Sequence, residues 1–497
     1  MTDETAAGTA DTVGTTDRAG AENAPDVTDS AGAMRMNSTG VTGRTGRTGT
    51  ANATGAADVT HTNGTAGATN STGAADTAGA ADGAQSSDRA GGAGAPPTPG
   101  RRLVSVDVAR AIAVFAMFAA HIGPPAKPEG AGHLLVAFDG RAPAIFTLIA
   151  GLSLTLSRGG ARPRPGPPPA GAWRSTLIRC AALAALGLAL TELRSGIAVI
   201  LTFFALYFLA AEPLARLGTR ALTAVAAMSV VAGPVLSYVL GPFFGYRVVG
   251  RGRYPGFEAV TSWSGFTDAL DTLLLSGAYP WLTYFPYVVV GMALGRLVDL
   301  RRPGAARRLL GWGALATLTG HGLSALALGP GGGREVLLRA IAQSHAYAVN
   351  TPDPVQAVLN RQAGAIPSTS WAWLLVDGPY SQTPFETVAN IGASLLLLGL
   401  AVAVCRSTVL AALLRPLAVV GTMGLSVYAV HVVARAELHP HHGWPALGAF
   451  CGVSLVACAV WAFVFRSTPL RRGPLEWALH ALMPRATGPA AGRSRRP

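Results

Sequence analysis

The stretch that decides the fold runs from Val104 to Pro125 and reads VSVDVARAIAVFAMFAAHIGPP. Asp107 and Arg110 stand at one end and His121 at the other, with only apolar residues between. An apolar run of about 20 residues is what a helix needs to cross a bilayer core. Ionisable groups on such a helix are costly and mark a functional site by default. At 3.6 residues per turn, Arg110 lies about 60° and His121 about 40° around the helix from Asp107, so all three share a face. His121 stands roughly 21 Å beyond Asp107 along the axis. A polar face of that depth points into a bundle or a wet cavity. The plainer reading is a helix-end ion pair at one surface and a snorkelling histidine at the other.

The rest of the chain supports a membrane setting. Of 497 residues half are hydrophobic and only 13% charged, against roughly 25% charged in a soluble globular protein. Residues 1–100 are the exception: rich in Ala, Gly, Thr and Asp, they bury too little to offset chain entropy and read as a disordered cytoplasmic tail. They lack the basic start and apolar core of a signal peptide. The formal charge of +13 is carried largely by arginines between apolar runs, the pattern of a membrane protein and not of a nucleic-acid binder. Four cysteines, Cys180, Cys405, Cys451 and Cys458, sit inside apolar runs without metal-ligand or disulfide spacing. The cluster His439, His441 and His442 matches no standard zinc pattern, so no metal is expected.

Apolar windows fall near 103–123, 142–157, 176–193, 196–211, 220–240, 280–298, 307–328, 387–405, 412–433 and 445–465. The second and fourth are the shortest for a span. Arginines concentrate in alternate connections, from Arg101 and Arg102 through Arg158–Arg174 and Arg296–Arg308 to Arg466–Arg472. That alternation follows the positive-inside rule. The expected fold is all-α: a polytopic integral membrane helix bundle of about ten transmembrane helices, with N- and C-termini cytoplasmic. It occupies residues 101–485, between the disordered tail and a basic tail at 486–497. In the long outer connection near 329–386, RAIAQSHAYAV and WAWLLVDGPYSQTPF read as short helices over the outer mouth. GPLEWALHALMPRA reads as a short amphipathic helix on the inner membrane face.

Further polar residues gather on the outer side. His133, Asp139 and Arg141 lie at the entrance of the second span, where Asp139 reads either as an N-cap beside Arg141 or as part of a site. Ser426, Tyr428 and His431 fall near the outer end of the ninth span. Two histidines at one depth, with Asp139 nearby, form the pattern of a general-base site.

The order D-x-x-R followed by a helix-end histidine, with Asp107, Arg110 and His121, resembles the first helix of the membrane acyltransferase superfamily. DVARAIAVFAMF and FDGRAPAIFTLIAG are most similar to the bacterial branch related to heparan-α-glucosaminide N-acetyltransferase. GAYPWLTYFPYVVVGMALGRL, PYSQTPFETVANIGASLLLLGL, GTMGLSVYAVHVV and RRGPLEWALHAL resemble later motifs of bacterial members. Related sequences carry Gly where this chain has Ala111 and His where it has Tyr380.

The resemblance implies a multi-pass enzyme of the cell membrane. It would take an acyl group, typically acetyl, from acyl-CoA on the cytoplasmic side to a sugar or other envelope acceptor on the far side. A histidine would serve as base or transient acyl carrier. Catalytic candidates are His121, His133, Asp139 and His431, with the choice between His121 and His133 open; Asp107, Arg110 and Arg141 are candidates for binding the donor. The implied partners are the lipid bilayer, acyl-CoA and a carbohydrate acceptor; a homo-oligomer is left open. The alternatives are a proton-coupled transporter, with Asp107, Arg110, His121 and His431 as a relay, and a non-catalytic envelope protein. No internal repeat of the transporter kind is evident in the sequence.

Overall fold

The computed structural model describes residues 103–125, 132–160, 172–244, 253–344, 352–359 and 364–483. The expectations for the tail at 1–100 and for the basic tail at 486–497 lie outside the described residues, as does part of the arginine-bearing connection Arg158–Arg174. So does the side chain of His133, whose backbone opens a four-residue helix.

The described residues form helices and no strand. The main elements are α1 (Val104–Ile122), α2 (Ala142–Ser157), α3 (Ala172–Thr191), α4 (Leu201–Leu214), α5 (Thr219–Leu240) and α6 (Trp281–Leu297). They continue with α7 (Ala305–Leu328), α8 (Pro384–Val404), α9 (Arg415–Thr422), α10 (Gly424–Leu438), α11 (Trp444–Val464) and α12 (Pro474–Ala481). Every apolar window read from the sequence falls on one of α1–α11. Length and apolarity together divide them. Five, α1, α3, α5, α8 and α11, are long and apolar enough to cross a membrane, and a sixth if the bent pair α9–α10 is one span. The apolar helices α2 and α4 have only 16 and 14 residues.

Burial sorts the bundle into centre and rim. In α1, 72% of the apolar window is buried inside the protein, against 11% in α11. An apolar helix left bare by its own chain is solvated by lipid, so α11 reads as rim and α1 as axis. The most extensive pairings are α7 with α8, α2 with α6, α5 with α6, α3 with α4, and α1 with α9. A second, smaller core lies over one end, with Trp373 fully buried among Leu337, Ile341, Val355 and Val358. The stretch WAWLL thus folds as a 3-10 turn with its own core beneath it. The predicted helix near the C-terminus is α12.

The ninth apolar window is broken. α9 and α10 meet at Met423 with a 79° bend. A helix break frees carbonyls on one side and amides on the other, and both sets need partners when buried. Arg110 of α1 donates to the Gly421 carbonyl at 3.0 Å. Glu476 of α12 accepts the Leu425 amide at 2.8 Å, the Ser426 amide at 3.2 Å and the Ser426 hydroxyl at 2.5 Å. A cation at a helix C-terminus and an anion at an N-terminus also match the two dipoles. Gly421 is required for the approach: a Cβ there would lie 1.8 Å from the Asp107 carbonyl oxygen.

Candidate active site

At the far end of α1 the two sequence-predicted histidines meet. His121 Nδ1 lies 3.2 Å from His431 Nε2. The ring planes differ by 7° with centroids 5.5 Å apart, a separation that places the rings edge to edge through the bond. His431 is buried between Phe118, 4.9 Å away, and Tyr428, 5.1 Å away, whereas His121 is half-buried. Tyr428 is itself anchored, its hydroxyl accepting the Ile200 amide at 3.1 Å.

The hydrogen bonds assign the tautomers. The Tyr428 carbonyl oxygen, 2.6 Å from His431 Nδ1, only accepts, so Nδ1 of His431 carries the hydrogen. In a neutral ring its Nε2 is then an acceptor, and His121 must donate from Nδ1. The lone pair of His121 is therefore left at Nε2, on the more accessible ring of the pair. A backbone carbonyl thus sets, through one imidazole, which nitrogen of the other is basic.

Asp107 and Arg110 form the predicted pair at 3.0 Å. Arg110 also donates to Ser153 Oγ on α2 at 2.7 Å, besides the Gly421 carbonyl. One guanidinium therefore joins α1, α2 and α9. Other arginines converge at this end of the bundle. Arg158 bonds Glu212 at 2.5 Å, and Thr176 donates to the same carboxylate oxygen at 2.8 Å. Arg179 lies over the Phe208 ring at 4.5 Å, and Arg296 donates to the Ala215 carbonyl at 3.1 Å. The Nε atoms of Arg179 and Arg296 are buried without a hydrogen-bond partner among the described residues.

Asp139 and Arg141 stand at the entry of α2, where Arg141 and not Asp139 occupies the N-cap position. Burial pushes the Asp139 carboxyl above its ordinary value, against the opposing pull of the Gly140 amide and the Arg141 charge. Arg141 turns onto the Val136 and Ala137 carbonyls at 3.1 and 3.0 Å, and onto His321 Nε2 at 3.1 Å. His321 Nδ1 in turn lies 2.6 Å from Asp377 Oδ2. The sequence reading passed over this Arg141–His321–Asp377 chain. A signal was present, because His321 is an ionisable residue inside the apolar run 307–328.

Asp377 is held by a strained loop. Tyr380 and Gln382 adopt positive φ, 62° and 56°, which is unusual for non-glycine residues and frequent at functional sites. Glu386 of α8 gathers the loop: it accepts the Tyr380 amide at 2.8 Å, the Ser381 hydroxyl at 3.1 Å, the Gln382 amide, and the Asn390 side chain at 3.2 Å. Burial, with Asp139 alongside, pushes the Tyr380 phenol up. Gly140, at φ +70°, lets the entry of α2 lie against this loop; a Cβ there would meet Pro379 Cα at 2.8 Å.

Residues 102–327 match the family model described as "Heparan-alpha-glucosaminide N-acetyltransferase, catalytic". No curated protein and no solved structure gave a match. The matched segment holds His121, Asp139, Arg141 and His321, while His431, Asp377 and Glu386 lie beyond it. Over α1 to α7, the chain is similar to the membrane acyltransferase family related to heparan-alpha-glucosaminide N-acetyltransferase.

Proposed function

We propose that the chain is a multi-pass acyltransferase of the cell membrane, with about ten spans and both ends cytoplasmic. It moves an acyl group, acetyl in the first instance, from cytoplasmic acyl-CoA to a sugar or glycan acceptor on the extracytoplasmic side. The observation that carries this reading is the His121–His431 hydrogen bond, which leaves a lone pair on the more accessible imidazole. The family match over the same helix supports it.

The chemistry follows from that lone pair. As nucleophile, His121 Nε2 attacks the thioester carbonyl, the C–S bond breaks, and the thiolate leaves and takes up a proton. The resulting acyl-imidazolium bears a positive charge, and its Nδ1–H bond to His431 strengthens as that charge develops. The acceptor hydroxyl or amine then attacks the same carbonyl, the N–C bond breaks, and His121 is regenerated as the acceptor's proton passes to solvent. As general base, His121 instead takes that proton at Nε2 while the acceptor attacks the thioester; the C–S bond breaks, and the proton passes from His121 to the departing thiolate.

The donor's phosphates suit the arginine end. About 16 Å of helix separates Arg110 from His121, a length for an extended pantetheine arm to follow. Arg179 and Arg296 supply buried N–H groups without partners among the described residues, and Arg158 stands beside them. A delocalised guanidinium with several donors is well suited to phosphate. Arg110 serves there as the positioning residue that holds α1, α2 and α9 together.

Release of free CoA thiol from acetyl-CoA by the purified chain, with glucosamine as acceptor probe, tests the reading. His121→Ala is expected to abolish release while the protein still melts cooperatively and acetyl-CoA still raises its melting temperature. Unchanged release in that variant overturns the assignment.

A further inference from the structure

The Arg141–His321–Asp377 chain has a property that the His121–His431 pair lacks. Arg141 Nη2 is only a donor, so its 3.1 Å contact with His321 Nε2 requires a lone pair on that nitrogen. His321 Nδ1 then carries the ring's hydrogen and donates it to Asp377 at 2.6 Å. The Arg141 contact and a proton on His321 Nε2 therefore exclude one another. The group is reachable, with the His321 side chain 37% and the Asp377 side chain 29% exposed.

The surroundings determine what displaces Arg141. Its remaining hydrogen bonds among the described residues are to the Val136 and Ala137 carbonyls, weaker acceptors for a guanidinium than an oxyanion. From the same turn comes Asp139, and from the facing loop come Asp377 and Tyr380. Glu386 of α8 is taken up by the Tyr380, Ser381 and Gln382 donors. On the helix Gly333–Gln343, packed against α7, Arg334, Glu335 and Arg339 are exposed, and Arg334 pairs with Asp353 at 3.3 Å.

We propose that Arg141, His321 and Asp377 form a binding site for a small oxyanion, a carboxylate or phosphate group on an incoming ligand. The oxyanion takes Arg141 from His321, and His321 takes up one proton at Nε2. The freed imidazole then stands between the ligand anion and the Asp377 carboxylate, and two neighbouring negative charges favour its charged form. The balance is one anion bound and one proton consumed, so binding tightens as pH falls, by up to about tenfold per pH unit.

Calorimetry on the full-length chain in detergent tests this, with glucuronate and glycerol phosphate as soluble probes. Each titration is run in two buffers of different ionisation enthalpy, which counts protons. The expected result is uptake of close to one proton per anion near pH 7.5. His321→Gln is expected to bind the anion without proton uptake. Arg141→Gln is expected to weaken binding roughly tenfold or more, with Arg141→Lys between it and the unmodified chain. Nanodiscs with and without phosphatidylglycerol identify the source: lost glucuronate binding only with the anionic lipid assigns the site to a headgroup, and unchanged binding assigns it to a soluble ligand. Anion binding without proton uptake in the unmodified chain, undiminished binding in Arg141→Gln, or no binding of either probe overturns the proposal. The readout is binding, so it is decided independently of acyl transfer.

Discussion

Arg110 and Glu476, on α1 and α12, hold opposite sides of one helix break. The guanidinium donates to the Gly421 carbonyl at 3.0 Å, and the carboxylate accepts the Leu425 amide at 2.8 Å. Neither residue touches the histidine pair in the contacts described above, yet both fix the helix from which His431 projects. This separation of positioning from chemistry gives the mutations below distinct signatures.

Arg110→Ala removes the ion pair with Asp107 and the donor to the Gly421 carbonyl. The expected loss of stability is about 3 kcal/mol, the scale for breaking a buried pair. Arg110→Lys is expected to recover only part of it, because an ammonium does not span Asp107, Ser153 and Gly421 as a planar fork does. Thermal melts in detergent check both. Full stability in the alanine variant refutes the positioning role.

Glu476 carries a pH signature. Burial pushes its carboxyl above the ordinary glutamate value, against the opposing Ser426 and Leu425 bonds. The folded chain then keeps the proton to a higher pH than the unfolded chain does. Stability is greatest below the ordinary glutamate value and falls as pH rises through the folded-state value. Glu476→Gln does not titrate, so the pH slope of its melting temperature is expected to be flatter there. Glu476→Ala strands two amides and is expected to cost about 1–3 kcal/mol.

His431→Ala removes the ring that fixes the His121 tautomer. Turnover is expected to fall roughly a hundredfold, the lower part of the range for acid–base catalysis, with donor affinity unchanged. A matching rise in KM with kcat intact contradicts the orienting role.

Arg179→Gln separates the arginine end from the histidines. Acyl-CoA affinity is expected to drop roughly tenfold, about 1.4 kcal/mol, while bound donor still reacts at its former rate. Equilibrium binding and single-turnover transfer, measured side by side, decide it.

Much of this was legible in the sequence because period and chemistry agreed. The one-faced arrangement of Asp107, Arg110 and His121 follows from helical spacing alone, and a second histidine at similar depth pointed to His431. Long-range closure was not legible. Nothing local in GTMG announces that Arg110 and Glu476 close on that break, because the partners lie 311 and about 50 residues away in sequence. The pairing of His321 with Asp377 spans 56 residues and depends on a loop held at positive φ, a conformation that Tyr380 and Gln382 do not advertise. The ten windows fall on the helices, and the two shortest of them, the second and fourth, are the short helices α2 and α4.

The bend at Met423 makes α10 a lever. From Gly424 to His431 the rigid arm is about 10 Å long, so a 5° swing at the fulcrum moves the imidazole roughly 0.9 Å. That displacement is enough to open a 3.2 Å contact. On the proposed function, small angular play where Arg110 meets Gly421 is therefore carried along α10 to the imidazole pair.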